Sequence, residues 1–260
     1  VRLCVLERVE RYDRTWSRFR EDSLVSAVAR TPGRHPFPPE GGELLALYRA
    51  LYEATDGAVS PLVARSLEAL GYDSHYTLRA GGAVPTPAWD DAVAWDGEAL
   101  TTVNPVLLDV GAAGKGQLVD LVGEELEFHG IRDYLIDASG DMLHRGSDVV
   151  RVALENPAAT EKAIGVAELS GQALCSSASN RRAWAPGVHH VVDARTGLST
   201  ETVIATWALA PSALAADGIA TALFFTDPAR LLAVAPFDYV RMFRTGRIER
   251  SASFPGEVFA

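Results

Sequence analysis

The stretch 211–225, P-S-A-L-A-A-D-G-I-A-T-A-L-F-F, puts a carboxylate where the surrounding chemistry disfavours one. Its length and apolar content predict a helix, with Pro211 and Ser212 as start signals. Apolar residues run almost all the way round, so the helix is expected to be buried. Asp217 is costly there unless it is paired, hydrogen-bonded or bound to a metal. Thr221 lies four residues on, so its hydroxyl and the carboxylate share one face. Gly218 removes a side chain beside them and lets another backbone or a ligand come close. On these residues alone two readings stand: half of a site for a hard cation such as Mg²⁺, or a cap on a neighbouring loop.

Three further stretches carry chemical groups. D-V-G-A-A-G-K-G, residues 109–116, follows a predicted strand and opens a predicted helix, the setting in which a helix N-terminus holds an anion. It fits neither G-x-x-x-x-G-K-[ST] nor G-x-G-x-x-G, and a plain strand-to-helix turn explains it equally well. Lys115 supplies one cation and Asp109 one carboxylate. A-S-G-D-M, residues 138–142, reads as a tight turn with an Asp bonded to its own backbone. S-S-A-S-N-R-R, residues 176–182, precedes H-H-V-V-D-A-R-T-G, residues 189–197. On a strand, His189 and His190 face opposite ways, so one of them points inward. That histidine is either an acid–base group or a hydrogen-bonded strand end. No H-x-x-x-H, no G-x-S-x-G and no zinc set is read from the sequence.

The elements that must position these groups follow from periodicity. Helical spacing covers residues 1–20 through Val5, Leu6, Val9, Tyr12, Trp16 and Phe19, and residues 43–54 through Leu44, Leu45, Tyr48 and Leu51. Residues 31–42, rich in proline and glycine, are expected to be a loop, and residues 62–70 a helix after a short extended piece at 58–60. Residues 74–90 read as a surface excursion. Strands are expected at 92–95, 99–103, 106–110, 133–137, 149–154, 164–169, 173–176, 188–192, 203–209 and 239–243, with a helix at 117–128. Strands in hairpin-like succession and helices in groups point to an α+β fold with mixed or antiparallel sheets, expected to form one domain over residues 1–260.

A net charge of −10 with no basic stretch argues against nucleic acid or an anionic membrane surface as the main partner. No apolar run of about eighteen residues is present, so no transmembrane segment is expected. Cys4 and Cys175 make no disulfide framework and read as buried thiols. The chain starts at Val1 without a signal pattern, which favours a cytoplasmic location unless an upstream segment has been removed.

Taken in order, the motifs resemble those of the FAD:protein FMN transferases, the ApbE-type flavin transferases. D-V-G-A-A-G-K-G-Q-L-V-D resembles the family's D-x-G-x-x-x-K-G-x-x-x-D, and L-I-D-A-S-G-D-M its strand ending in G-G-D. S-S-A-S-N-R-R and H-H-V-V-D-A-R-T-G are similar to T-S-G-x-x-R and H-I-I-D-P-R-T-G. A-P-S-A-L-A-A-D-G-I-A-T-A-L matches the A-x-x-A-x-x-A-D-A-x-A-T-A-L helix. Upstream, W-S-R-F-R-E-D-S-L-V-S and D-G-A-V-S-P-L-V resemble F-S-x-Y-x-x-D-S-x-x-S and G-G-x-F-D-P-x-V. Ser60 stands where the family usually has Asp, and Ala194 where it has Pro.

The resemblance implies Mg²⁺-dependent cleavage of the FAD pyrophosphate. FMN goes to a Thr or Ser hydroxyl of an acceptor flavoprotein or redox-protein subunit, and AMP is released. FAD hydrolysis to FMN and AMP, or flavin binding without turnover, are the alternatives. By matching positions, Asp217, Thr221 and the Ala112 carbonyl would hold the metal. Asp109 and Lys115 would contact FAD, Phe19 and Val191 the flavin, and Ala58, Val59 and Ser60 would form a backbone wall. His190 would be the acid–base residue.

Overall fold

Every strand pair among the described residues is antiparallel, the tight β4–β5, β6–β7 and β14–β15 hairpins included. The computed structural model describes residues 1–259. Its central sheet has the order β15-β14-β13-β8-β5-β4, formed by Ile248–Arg250, Asp238–Phe243, Val203–Ala210, Ala173–Ala178, Asp141–Arg145 and Tyr134–Asp137. A second sheet, β16-β7-β6, pairs Gly256–Val258, Ala159–Leu169 and Val150–Asn156. A third, β1-β3-β2, joins Gly33–Pro36, Ala99–Thr102 and Val93–Trp95. Two short ribbons complete the strands, β9 (Ala183–Ala185) with β10 (Val188–His189) and β11 (Val192–Asp193) with β12 (Leu198–Ser199).

Strand β13 shows how the layers arise. Its sequence, V-I-A-T-W-A-L-A, has no polar face, so both faces must be covered. Ala205, Trp207 and Leu209 join Leu154, Ile164 and Leu169 of the second sheet in one core. The alternate residues face helices: Thr206 Oγ1 donates to the Ala220 carbonyl at 2.6 Å, and Ala210 packs with Ala213 and Ala216. The layers are therefore sheet, sheet and helices. The helix layer contains α6 (Gly114–Phe128) and α7 (Ala213–Ala222), which pack against each other and against the central sheet. Outside it lie α1 (Arg2–Trp16), α2 (Leu24–Arg30) and α3 (Gly41–Ala54). The short helices α4 (Ala64–Ala69), α5 (Trp89–Ala92) and α8 (Pro228–Leu231) sit between the larger elements.

Helix α7 starts where its signals put it. The Ser212 hydroxyl accepts from Ala215 N at 3.2 Å. Asp120 of α6 accepts from the next two free amides, Ala213 N at 2.8 Å and Leu214 N at 2.7 Å. The α6–α7 spacing depends on Gly116, where a Cβ would strike the Ala213 carbonyl and sit 2.7 Å from the Asp217 Cβ. Gly218 makes room for α3: a Cβ there would stand 2.8 Å from Leu51 Cδ1 and 3.0 Å from Leu47 Cδ2. The close approach expected at Gly218 is thus that of leucine side chains, not of a ligand.

Several segments depart from expectation; the strand expected at 188–192 is broken at 190–191 into β10 and β11. Residues 33–36, read as part of a loop, form β1, because their extended backbone meets the β3 edge from Gly33↔Thr102 to Pro36↔Ala99. Residues 106–110, read as a strand, join no sheet. Val106, Leu107, Leu108 and Val110 are buried, and Asp109 N bonds the Pro61 carbonyl at 2.7 Å. An apolar run reports burial, and here the burial is among helices. Residues 141–142, read as part of a turn, begin β5 (141–145), which lies between β4 and β8.

Candidate active site

Two cavities meet at the start of α6. The first, about 320 Å³, is lined by ten of the eleven residues singled out in the sequence: Phe19, Ala58, Val59, Ser60, Asp109, Ala112, Lys115, His190, Val191 and Thr221. The eleventh, Asp217, lines the second cavity, about 520 Å³. Gly111, Lys115, Ser177, Arg182 and His190 line both.

The glycine-rich turn works differently from an anion-binding helix start. Of its amides, Gly111 N donates to Asp109 Oδ1 at 2.7 Å and Ala112 N to the Tyr48 hydroxyl at 3.1 Å. Ala113 N and Gly114 N both donate to the Val110 carbonyl, and Gly116 N to Asp217 Oδ2 at 2.9 Å. Amides already engaged cannot cradle a phosphate. The turn presents a carbonyl instead. The Ala112 oxygen accepts from Thr221 Oγ1 at 3.3 Å, and Ser177 Oγ lies 3.5 Å from that hydroxyl. The Asp217 carboxylate lies one helical turn before Thr221 on α7, and oxygen donors of these kinds suit a hard cation.

Electrostatics favour the same occupant. Asp217 is 4% exposed. Burial, and then the nearby Asp141 carboxylate, push its pKa well above the usual carboxylate range. Asp141 is fully buried, and burial raises its pKa as well, although the Lys115 ammonium stands 3.0 Å from Oδ2. The Lys115 ammonium is the charged partner that this buried carboxylate has. Two close buried carboxylates, with Lys115 and Arg182 nearby, are pushed toward their protonated forms, and a bound cation would favour their ionised forms instead.

The sequence reading placed Asp141 in a self-bonded turn. In the structure it is Asp137 that caps that turn, accepting from Gly140 N at 3.1 Å, while Asp141 begins β5 and points under Lys115. The turn itself needs left-handed backbone, with φ of 58° at Ser139 and 103° at Gly140.

On the other side of the turn, Asp109 has both oxygens engaged, Oδ1 by Gly111 and Oδ2 by Arg18 Nε at 2.5 Å. Arg18 is the principal residue that sequence reasoning passed over. Its side chain is buried, Nη2 donates to the Tyr72 carbonyl at 2.8 Å, and the guanidinium stacks 4.2 Å from the Phe19 ring centroid. Phe19 in turn stacks on Tyr76 at 5.3 Å. The first cavity therefore has aromatic walls fixed by a buried ion pair. Arg182 closes the S-S-A-S-N-R-R motif. It lines both cavities and has no carboxylate within 4 Å among the described residues.

The two histidines do face opposite ways. His189 is buried in a complete network: Nε2–H donates to the Thr200 carbonyl at 2.8 Å, and Nδ1 accepts from Val191 N at 3.2 Å. It is the hydrogen-bonded strand end. His190 faces both cavities, and its Nδ1 is buried without a partner. Burial, helped by the Arg182 and His189 charges, pushes its pKa down to about 4, so it is neutral at neutral pH.

Comparison with known proteins gives the family and the fold. The family model described as the ApbE family matches residues 2–241. The FAD:protein FMN transferase of Klebsiella pneumoniae (strain 342) is 28% identical over 135 residues, which are 48% of this chain and 39% of that protein. The FAD:protein FMN transferase of Rhodobacter capsulatus is 28% identical over 227 residues, 81% of this chain and 43% of that protein. The chain thus spans less than half the length of these two relatives. The crystal structure of the ApbE protein from Thermotoga maritima superposes with a TM-score of 0.84 at 24% identity, covering 96% of this chain and 88% of that one.

Proposed function

The chain belongs to the ApbE family, and from that premise we propose that it transfers FMN from FAD to a Thr or Ser hydroxyl of an acceptor protein, releasing AMP. The observation that carries the proposal is the oxygen donor set of Ala112, Asp217 and Thr221 at the junction of two cavities. The Thr221 hydroxyl and Ala112 carbonyl, paired with each other beside the Asp217 helix face, are the oxygens that would hold a bound Mg²⁺ together with the Asp217 carboxylate. When bound, Mg²⁺ supplies Lewis-acid polarisation of the pyrophosphate and neutralises its charge.

The residues of the chain do the rest. The aromatic cavity, with Phe19, Tyr72 and Val191, takes the flavin half of FAD, and the backbone at Ala58, Val59 and Ser60 walls it. Arg18 holds Asp109, and Asp109 holds the Gly111 amide, so this pair fixes the turn that carries Ala112 and Lys115. We assign Asp109 a positioning role for that reason, although it also lines the cavity. Lys115 and Arg182 meet the phosphates with the positive charge that an acidic chain otherwise lacks.

His190, neutral and with a free lone pair, accepts the proton of the acceptor hydroxyl as its oxygen bonds to the flavin-side phosphorus. The bond from that phosphorus to the bridging oxygen breaks, and AMP leaves with the electron pair. A pyrophosphate beside His190 raises its basicity as charge builds, so a low pKa in the free protein is compatible with the role.

Incubation with FAD, Mg²⁺ and an acceptor protein bearing a reactive threonine tests the proposal. Covalent flavin fluorescence on the acceptor is the expected result. AMP and free FMN without labelling would instead make the chain a pyrophosphatase, and FAD retained intact would make it a flavin binder.

A further inference from the structure

The opposite end of α6 carries a second cluster of ligand atoms, unrelated to the oxygen set at its start. From Lys115 to His129 the helix rises about 21 Å, so the two places are far apart. Glu125 and His129 lie one turn apart at the end of α6, and Cys4 lies in the first turns of α1, which packs alongside. Cys4 Sγ is 3.8 Å from His129 Nε2. One ligand atom from each of Cys4, Glu125 and His129 falls within 4.8 Å of the others. The two apolar-thiol expectations thus separate: Cys175 is buried as expected, but Cys4 is only half-buried.

The tautomer of His129 is fixed by its partner. Nδ1 lies 2.9 Å from the Glu125 backbone carbonyl, and a carbonyl can only accept, so Nδ1 carries the hydrogen. In the neutral ring, Nε2 then presents its lone pair to Cys4. Metal-bound histidines are usually held in this way, with the far ring nitrogen donating to a carbonyl or carboxylate. The spacing also fits. Tetrahedral Zn²⁺, with Zn–S of about 2.3 Å and Zn–N of about 2.0 Å, sets sulfur and nitrogen roughly 3.5 Å apart. Glu125 is held near by Arg8, whose Nη2 lies 3.9 Å from Oε2.

We propose that Cys4, Glu125 and His129 form a binding site for Zn²⁺ that clips the start of α1 to the end of α6. A thiolate, an imidazole and a carboxylate are the donor mixture of a borderline-soft ion, not of Mg²⁺. On binding, the Cys4 thiol releases its proton to solvent, the metal takes the thiolate, and a water fills the fourth position. The clip bears on the rest of the molecule because Tyr12 and Trp16, at the other end of α1, line the aromatic cavity.

Tag-free protein, stripped with a chelator and titrated with Co²⁺ under argon, tests this. The expected result is one tightly bound Co²⁺ per chain with a near-ultraviolet thiolate-to-cobalt charge-transfer band, bleached by Zn²⁺. Cys4→Ser abolishes the band, Cys175→Ser leaves it, and His129→Ala weakens Zn²⁺ binding by more than about tenfold. Zn²⁺ also raises the melting temperature of the parent protein but not of His129→Ala, which keeps the test open if Cys4→Ser does not fold. Co²⁺ binding without a thiolate band, or a band that survives Cys4→Ser, overturns the proposal.

Discussion

Replacing Asp217 by Asn isolates the charge at the centre of the proposed metal site. Asn has nearly the same volume, and its carbonyl oxygen can still accept from Gly116 N, so the α6–α7 contact survives. The change also removes one of two buried carboxylates that oppose each other. Without metal, the variant should therefore be as stable as the parent to within about 1 kcal/mol, or slightly more stable. With metal the two should diverge. A ligand at a hundred times its Kd stabilises the folded state by about 2.7 kcal/mol. In a chain of this size that is a rise of roughly 5–10 °C in Tm. The remaining donors, the Ala112 carbonyl and the Thr221 hydroxyl, carry no charge, so Asp217→Asn should lose most of the rise and, with it, Mg²⁺-dependent flavin transfer. Calorimetry across a MgCl₂ series, alongside the transfer assay, measures both. A variant that kept the full Mg²⁺-dependent shift and normal transfer would refute the metal assignment. A variant destabilised by several kcal/mol without metal would refute the argument from volume and hydrogen bonding.

Other perturbations follow from the same contacts. Arg18→Ala leaves the Asp109 carboxylate without its buried partner; we expect a loss of about 3–5 kcal/mol in urea denaturation and weaker FAD binding, because the turn and the Phe19 wall lose their anchor. Gly116→Ala drives a Cβ against the Ala213 backbone, which cannot rotate away as a side chain could; a loss of about 1–3 kcal/mol is expected, and transfer should fall even where the protein still folds. His190 has a folded pKa of about 4, below the unfolded value of 6.5, so between these limits the unfolded chain binds more protons and stability falls as the pH falls. The slope approaches about 1.4 kcal/mol per pH unit, and His190→Gln should lessen the loss between pH 6.5 and about pH 5 by about 1–2 kcal/mol, read by urea denaturation at the two pH values.

The legible part of the site was the part written in local order. The α7 carboxylate, the turn before α6 and the histidine pair each sit in a short motif, and the succession of motifs resembles one family from residue 12 to residue 225. The contacts that decide what each motif does join residues far apart in the chain, and no local pattern encodes them. Asp109 meets Arg18 across 91 residues, and Gly116 meets Asp217 across 101. Of the two readings left open for residues 109–116, the plain strand-to-helix turn is the better fit: the amides of Gly111, Ala112, Ala113, Gly114 and Gly116 are engaged by Asp109, Tyr48, Val110 and Asp217, and only the fold reveals it. The same limit hid β1 and the place of Asp141, since an edge strand and a buried carboxylate are both defined by partners. The engaged amides bear on the proposed metal site as well. Once its amides face inward, what it offers the cavity is the Ala112 carbonyl, and a carbonyl beside a hydroxyl and a carboxylate repels a phosphate unless a cation stands between them. The glycines of that turn then serve packing: Gly114 clears Val110 and Gly116 clears α7, which brings Asp217 against the start of α6.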